Sequence, residues 1–163
     1  MELNGITYRN IEITDNKILA DLIRTVFREF KIDRPGTVYY DPTTDNLFEL
    51  FKKQGSVYWI AEENGIMAGG CGVYPTPSLP EGYAELVKLY LLPRWRGRGI
   101  GWRLMENCIE SARDLGYKHL YLESLPELEK AVSMYIKSGF IHISHALGNS
   151  GHFGCNIWMV KDL

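Results

Sequence analysis

One turn, in which every second residue is glycine, limits the choice of fold more than any other segment. It lies between a predicted strand and a predicted helix. Residues 83–92 form the longest strand candidate, which ends at Pro93. The turn Arg96-Gly97-Arg98-Gly99-Ile100-Gly101 follows, and apolar residues then recur at helical spacing. The first turn of a helix carries unpaired N–H groups and partial positive charge, and glycine lets an anion approach them. The basic side chains of Arg96 and Arg98 suit phosphate oxygens, so the segment predicts a pyrophosphate site.

Two other nucleotide-binding motifs do not fit this turn. A P-loop requires Gly-Lys-Ser/Thr at its end, and the turn has none. The dinucleotide fingerprint G-x-G-x-x-G/A fails as well, because its sixth position falls on Trp102 or Leu104. Glu123, at the end of the next strand candidate, does occupy the position of the acidic residue that binds ribose in the dinucleotide-binding fold. A structural turn with solvated arginines remains the other interpretation.

The rest of the chain alternates strand and helix patterns without repeats or an evident linker, which predicts one domain over residues 1–163. The predicted order is β-α-α-β-β-β-α-β-α-β-β, and Asn64-Gly65 marks a hairpin. A hairpin followed by β-α-β units requires a mixed sheet with helices on both faces. The predicted strands cover residues 8–13, 57–62, 66–74, 83–92, 118–123, 140–145 and 156–161. The predicted helices run from Thr14 or Asp15 to Phe30, over 45–53, over 99–115 and over 128–138.

Two blocks of this sequence resemble the GNAT superfamily of acetyl-CoA-dependent N-acetyltransferases. Residues 96–101 match its Gln/Arg-x-x-Gly-x-Gly/Ala signature at every fixed position. Residues 131–140, Ala-Val-Ser-Met-Tyr-Ile-Lys-Ser-Gly-Phe, look like the family's A-x-x-x-Y-x-K-x-G-F segment. The resemblance is good from Glu85 to Phe140, and the order of elements extends it over the chain.

The resemblance implies an α/β (α+β) GNAT fold and an acetyl-CoA site. The sheet would be mixed but mostly antiparallel, with about seven strands flanked by helices. The fourth and fifth strands, which contain residues 83–92 and 118–123, would be parallel and splayed. Pantetheine amides would pair with the backbone near Leu89 and Leu91, where a bulge frees N–H groups. The pyrophosphate would lie on the turn formed by Arg96, Gly97, Arg98, Gly99, Ile100 and Gly101.

Acyl transfer to an amine requires a base for the ammonium group and a proton for the departing thiolate. Tyr135 resembles the family's tyrosine that protonates the thiolate; the alternative is a core tyrosine. Glu85 is the candidate base: on a strand, Glu85, Val87, Leu89 and Leu91 share one face, and the resemblance places the acyl group at Leu91. The alternative is a surface carboxylate, and Lys88 would face the other way. Many relatives have an asparagine near Leu128 that this chain lacks, so its contact is missing or Ser124 or Glu127 replaces it.

The C-terminal segment is the least conventional part of the chain. Residues 147–154 are rich in glycine and form a loop that would border the acceptor pocket in this fold. His152 and Phe153 are therefore candidate substrate-binding residues, and a solvated turn is the alternative. We expect no metal, since His145, His152 and Cys155 lack an evident fourth ligand. No partner for nucleophilic catalysis can be assigned to Cys155.

Charge and composition narrow the partners. The 163 residues carry a formal net charge of −2, which argues against binding nucleic acid. No apolar run approaches the length of a membrane span, no signal peptide is visible, and three unpaired cysteines suit a cytoplasmic protein. We expect an N-acetyltransferase acting on a small-molecule amine or amino acid, with direct attack in a ternary complex. An acyl-CoA sensing module and a protein or peptide amine acetyltransferase are the alternatives. A homodimer stays open.

Overall fold

The computed structural model describes all 163 residues and contains one eight-stranded sheet with helices on both faces. The strands are β1 (Glu2–Leu3), β2 (Ile6–Asn10), β3 (Val57–Glu63), β4 (Ile66–Tyr74), β5 (Tyr83–Leu91), β6 (His119–Ser124), β7 (Ile141–Ile143) and β8 (Ile157–Asp162). The helices are α1 (Asn16–Glu29), α2 (Leu47–Leu50), α3 (Ile100–Asp114) and α4 (Glu129–Lys137). The sheet order is β1-β2-β3-β4-β5-β6-β8-β7, and only β5 and β6 pair in parallel. The predicted mixed, mostly antiparallel sheet is therefore confirmed.

The N-terminal half differs from the sequence-based prediction in two places. β1 was not predicted; it joins the edge of the sheet through a turn at Asn4 and Gly5, whose φ angles are 53° and 78°. The predicted helix over 45–53 is instead a 3₁₀ turn at Pro42–Asp45 followed by the short α2. The Asp41 side chain accepts a 2.9 Å hydrogen bond from the backbone N–H of Thr43, so helical structure begins earlier than predicted.

Two hydrophobic cores cover the two faces of the sheet. One face packs against α1, whose apolar side chains recur every three or four residues and are almost fully buried. The other face packs against α3 and α4. The α1 core includes Leu19, Leu22, Ile23, Val26, Phe27, Tyr58 and Ile60. The α3 core includes Ala84, Leu86, Trp95, Leu104, Met105, Cys108, Ala112 and Tyr135.

A bulge in β5 changes which side chains face which core. Gly70 pairs with Tyr90, whereas Gly72 pairs with Val87, so β5 carries one extra residue at this point. Lys88 lies within this bulge, and its backbone has a φ of 54°. A Cβ on Gly69 would collide with the carbonyl oxygen of Tyr90, so this stretch of β4 depends on glycine.

The bulge contradicts the prediction that Glu85 and Val87 share a face with Leu89 and Leu91. Leu89 and Leu91 pack against the α3 core, together with Leu86 on the other side of the bulge. Val87 packs on the α1 core, and alternation places Glu85 on the same side. The extra residue shifts the alternation by one, so Lys88 does not face away from Glu85.

β5 and β6 separate after a short parallel contact. They pair only from Tyr83 to Glu85 on β5 and from His119 to Tyr121 on β6. Beyond this point β5 continues to Leu91 and β6 to Ser124 without pairing to each other. The predicted splay is confirmed, and Glu85 is the last paired residue before the gap opens.

Candidate active site

A cleft with a volume of about 790 Å³ occupies the gap between β5 and β6. This volume is typical of sites for small molecules and cofactors. The diverging strands, the start of α3 and the inner side of α4 form its walls. Of the residues predicted from the sequence, Glu85, Leu89, Leu91, Arg96, Gly97, Gly99, Ile100, Gly101, Tyr135 and His152 line the cleft.

The turn before α3 presents an uninterrupted row of free main-chain donors. The backbone N–H groups of residues 97–102 donate no hydrogen bond within the protein, and the first helical bond runs from Arg103 N to Gly99 O. Gly97 and Gly99 adopt φ angles of 73° and 78°, which favour glycine. An ordinary helix start leaves four such groups free, and the preceding turn adds to them here. The arrangement suits an anion with several oxygens.

The two arginines of the turn do not offer free charge to a ligand. Arg96 donates to the carbonyl oxygen of Leu91 at 3.0 Å and 2.8 Å and forms a bidentate pair with Glu29. The guanidinium group of Arg98 pairs with the carboxylate of Glu63 at 2.7 Å, and Arg98 does not line the cleft. The prediction that both side chains supply charge to phosphate therefore finds no support in their placement. The main-chain N–H groups are the donors of this turn that have no partner within the protein.

Glu85 lies at the inner end of the cleft and is 3% exposed. The hydroxyl of Thr76 donates a 2.7 Å hydrogen bond to its Oε1. Burial raises the pKa of Glu85 to about 8, and the negative charge of Glu123 adds to the rise; the Thr76 hydrogen bond and Lys88 act in the opposite direction. A carboxylate with such a pKa is a much stronger base than an exposed one.

Tyr135 lies on α4 and lines the cleft from the side of the α3 core. Its ring packs against Phe140 at a centroid distance of 5.8 Å, which fixes its orientation. Burial raises the pKa of Tyr135 well above its usual value, so the hydroxyl keeps its proton at neutral pH. The hydroxyl makes no hydrogen bond within the protein and can act as a donor to a group in the cleft.

A second polar cluster near Glu85 was not predicted from the sequence. Lys88 lies in the cleft with its side chain 4% exposed, and its Nζ is 4.0 Å from Oδ2 of Asp41. His152 Nε2 is 2.7 Å from the same Oδ2. Burial lowers the pKa of Lys88, against the opposing influence of Asp41 and Glu85.

Side chains of β6 hold the C-terminal loop beside the cleft. Glu123 accepts hydrogen bonds from the hydroxyls of Tyr121, at 2.6 Å, and Ser150. The hydroxyl of Tyr121 in turn accepts a 3.1 Å hydrogen bond from the backbone N–H of Leu147. Glu123 therefore has a role in loop placement, which differs from the ribose contact that its sequence position imitates.

The two candidate substrate-binding residues of this loop have different positions. His152 lines the cleft, whereas Phe153 is 83% exposed and lies outside the lining. The placement of Phe153 gives the predicted substrate contact no support, because its ring rests near Gly36 instead. Cys155 also lines the cleft, and burial raises the pKa of its thiol to about 12, so it is protonated at neutral pH.

No group of three or more His, Cys, Asp or Glu side chains is arranged to hold a metal ion, and His145, His152 and Cys155 do not form one. None of the helices combines the length and the apolar character needed to cross a membrane. The three cysteines are free thiols.

Similarity to known proteins agrees with this geometry. Residues 20–140 match the family model described as the acetyltransferase (GNAT) family. The uncharacterized N-acetyltransferase YjgM of Escherichia coli K12 is 35% identical over 156 residues, which cover 95% of this chain and 93% of YjgM. The uncharacterized N-acetyltransferase C1271.07c of Schizosaccharomyces pombe is 28% identical, with coverage of 80% and 83%.

Solved structures show the same fold at lower identity. An acetyltransferase of the GNAT family from Staphylococcus aureus Mu50 superposes with a TM-score of 0.85 at 20% identity, covering 97% of this chain and 99% of that one. YncA of Salmonella typhimurium, solved with its cofactor acetyl-CoA, gives a TM-score of 0.75 at 20% identity, with coverage of 98% and 95%.

Proposed function

Because this chain belongs to the acetyltransferase (GNAT) family, we propose that it moves an acetyl group from acetyl-CoA to the amine of a small molecule or amino acid. The reaction is a direct attack in a ternary complex. The observation that carries the proposal is the row of free N–H groups at residues 97–102, beside a cleft with a buried carboxylate at its inner end.

The free N–H groups at the start of α3 bind the pyrophosphate of acetyl-CoA. Gly97 and Gly99 have no atom within 4 Å of the position of a Cβ, so the turn is open to a ligand. Arg96 stabilises the turn, since it ties the end of β5 to α1 through Leu91 and Glu29. The pantetheine arm occupies the gap between β5 and β6, along Leu89 and Leu91.

Glu85 removes the proton from the incoming ammonium group. An alkyl ammonium has a pKa near ~10.4. Proton transfer to a carboxylate at the ordinary value of 4.5 would be uphill by about 8 kcal/mol, and burial of Glu85, which raises its pKa to about 8, reduces this by about 5 kcal/mol. This reduction in the free energy of proton transfer is large enough to make Glu85 an effective base for the reaction.

Tyr135 protonates the departing sulfur. The amine nitrogen forms a bond to the acetyl carbon, backbone near Leu91 polarises the carbonyl, and the carbon–sulfur bond then breaks. Tyr135 gives its proton to the thiolate and regains one, through solvent, from the amine nitrogen as the intermediate collapses. The products are the N-acetylated amine, CoA and the proton that Glu85 passed to solvent.

Two measurements test the proposal. Calorimetric titration with acetyl-CoA, CoA, NAD and ATP should show binding of the first two only; binding of NAD or ATP without CoA would end the proposal. A screen of amines that follows the release of CoA thiol should then find acceptors. An acyl-CoA sensor would bind acetyl-CoA but release no thiol with any amine.

A further inference from the structure

The ammonium group of Lys88 lies in the cleft without a hydrogen-bond acceptor from the protein. Its side chain is 4% exposed, and the nearest carboxylate oxygen, Oδ2 of Asp41, is 4.0 Å from Nζ. Hydrogen bonds between N–H groups and oxygen require about 2.7–3.2 Å. The three N–H donors of Lys88 are therefore open to an acceptor that enters the cleft.

Asp41 does not fill this role, because other groups already hold its carboxylate. Its Oδ1 accepts from the backbone N–H and the hydroxyl of Thr43, at 2.9 Å and 2.7 Å. Its Oδ2 lies 2.7 Å from Nε2 of His152. Asp41 therefore acts mainly as a bridge between its own loop and the C-terminal loop, and it stabilises the charge of Lys88 only from a distance.

The backbone places Lys88 in the cleft at a conformational cost. Its φ of 54° is uncommon for a residue other than glycine and is unfavourable for an L side chain. The hydroxyl of Tyr58 stabilises this conformation by donating a 2.8 Å hydrogen bond to the carbonyl oxygen of Lys88. Without the bulge, alternation along β5 would turn this side chain away from Glu85.

We propose that Lys88 binds a carboxylate on the acceptor, and that the acceptors are therefore free amino acids. This inference rests on the proposed acetyltransferase function. Glu85 and Lys88 line the same cleft, and their charges influence each other. The amine of an amino acid would meet the carboxylate of Glu85, and its carboxylate would meet the ammonium group of Lys88. Lys88 is thus a specificity residue, separate from the chemical steps at Glu85 and Tyr135.

Pairs of acceptors that differ only in the carboxylate test this proposal. Each free L-amino acid is compared with its carboxamide by the release of CoA thiol, on the wild-type chain and on Lys88→Met. The wild-type chain should favour the acid by about 10- to 150-fold in kcat/KM, which corresponds to the roughly 1.5–3 kcal/mol of a hydrogen-bonded charge pair. Lys88→Met should bring this ratio to within about threefold through a higher KM for the acid.

The controls separate carboxylate binding from other roles of Lys88. Lys88→Arg should keep most of the preference, and Lys17→Met, which removes an exposed charge on α1, should not change it. Rates are compared where they no longer depend on pH, so that altered ionisation of Glu85 does not contribute. Equal losses for acid and amide in Lys88→Met, or a wild-type preference for the amide, would overturn the proposal.

A binding measurement keeps this test independent of turnover. In the presence of CoA, calorimetry should show that the wild-type chain binds the amino acid more tightly than the amide, and that Lys88→Met does not discriminate. Binding of both with equal affinity by the wild-type chain would overturn the carboxylate site, whether or not the enzyme is active. Failure of every amine to support thiol release would instead count against the proposed function.

Discussion

The hydroxyl of Thr76 donates a 2.7 Å hydrogen bond to Oε1 of Glu85, and neither residue is more than 7% exposed. The bond fixes the carboxyl group at the point where β5 and β6 begin to separate. Oε2 has no hydrogen-bond partner in the protein and can receive a proton from a group in the cleft. Burial raises the pKa of Glu85, and the hydrogen bond from Thr76 limits this rise.

The rate of the wild-type enzyme should depend on the ionisation of Glu85. Since the base must be unprotonated, kcat/KM should rise about tenfold per pH unit below the pKa of Glu85 in the free enzyme, which is about 8, and level off above it. Glu85→Gln should lower kcat by about 100-fold and remove this rise. Thr76→Val should move the rise to higher pH, because it removes a hydrogen bond that lowers the pKa. A pH–rate profile of the three proteins measures this; an unchanged profile in Glu85→Gln would assign the base elsewhere.

The same group should make stability depend on pH. Folding raises the pKa of Glu85 from 4.5 to about 8, so the folded state favours the protonated carboxyl. This contribution is fully present below about pH 4.5, falls as the pH rises, and is lost above about pH 8. Glu85→Gln should therefore be stabilised relative to the wild type by a few kcal/mol more at pH 9 than at pH 5. Denaturant unfolding at both pH values measures the difference, and a constant difference would contradict the account.

Removal of the Tyr135 hydroxyl should affect the chemical step alone. Tyr135→Phe keeps the ring that packs against Phe140 and removes the proton donor. We expect kcat to fall by about 100-fold, with little change in the affinity for acetyl-CoA. Single-turnover rates and calorimetric titration separate the two effects. A loss of affinity with unchanged kcat would assign Tyr135 to binding instead.

Arg96 and Arg98 should differ in their effect on acetyl-CoA binding. Arg96→Met removes the contacts that hold the end of β5 in place and should weaken binding by about tenfold. Arg98→Met removes a partly exposed ion pair with Glu63 and should change the affinity by less than about threefold. Titration of both variants with acetyl-CoA tests this. A larger effect of Arg98→Met would restore the sequence-based view that its guanidinium contacts phosphate.

The features that could be predicted from the sequence have local causes. The turn at residues 96–101, the Asn64-Gly65 hairpin and the parallel strands joined by α3 follow from glycine positions and periodicity. In the hairpin Asn64 and Gly65 have φ angles of 52° and 75°, as such a turn requires.

The surroundings of Glu85 have causes that are not local. The resemblance implied a bulge near Leu89, but the face of Glu85 was predicted for an unbroken strand, and one extra residue invalidates that alternation. Thr76 and Asp41 reach the cleft from separate loops, and no spacing along the chain links them to β5. The exposure of Phe153 likewise depends on how two loops pack.

Acetyl transfer to an amine is tested most directly by mixing the purified chain with acetyl-CoA and an amine, and following CoA thiol and product mass together. The account predicts thiol release only when an amine is present, one added acetyl group per thiol released, and a rate about 100-fold lower in Glu85→Gln. Thiol release at the same rate without any amine, or acceptors that gain no acetyl group, would contradict it.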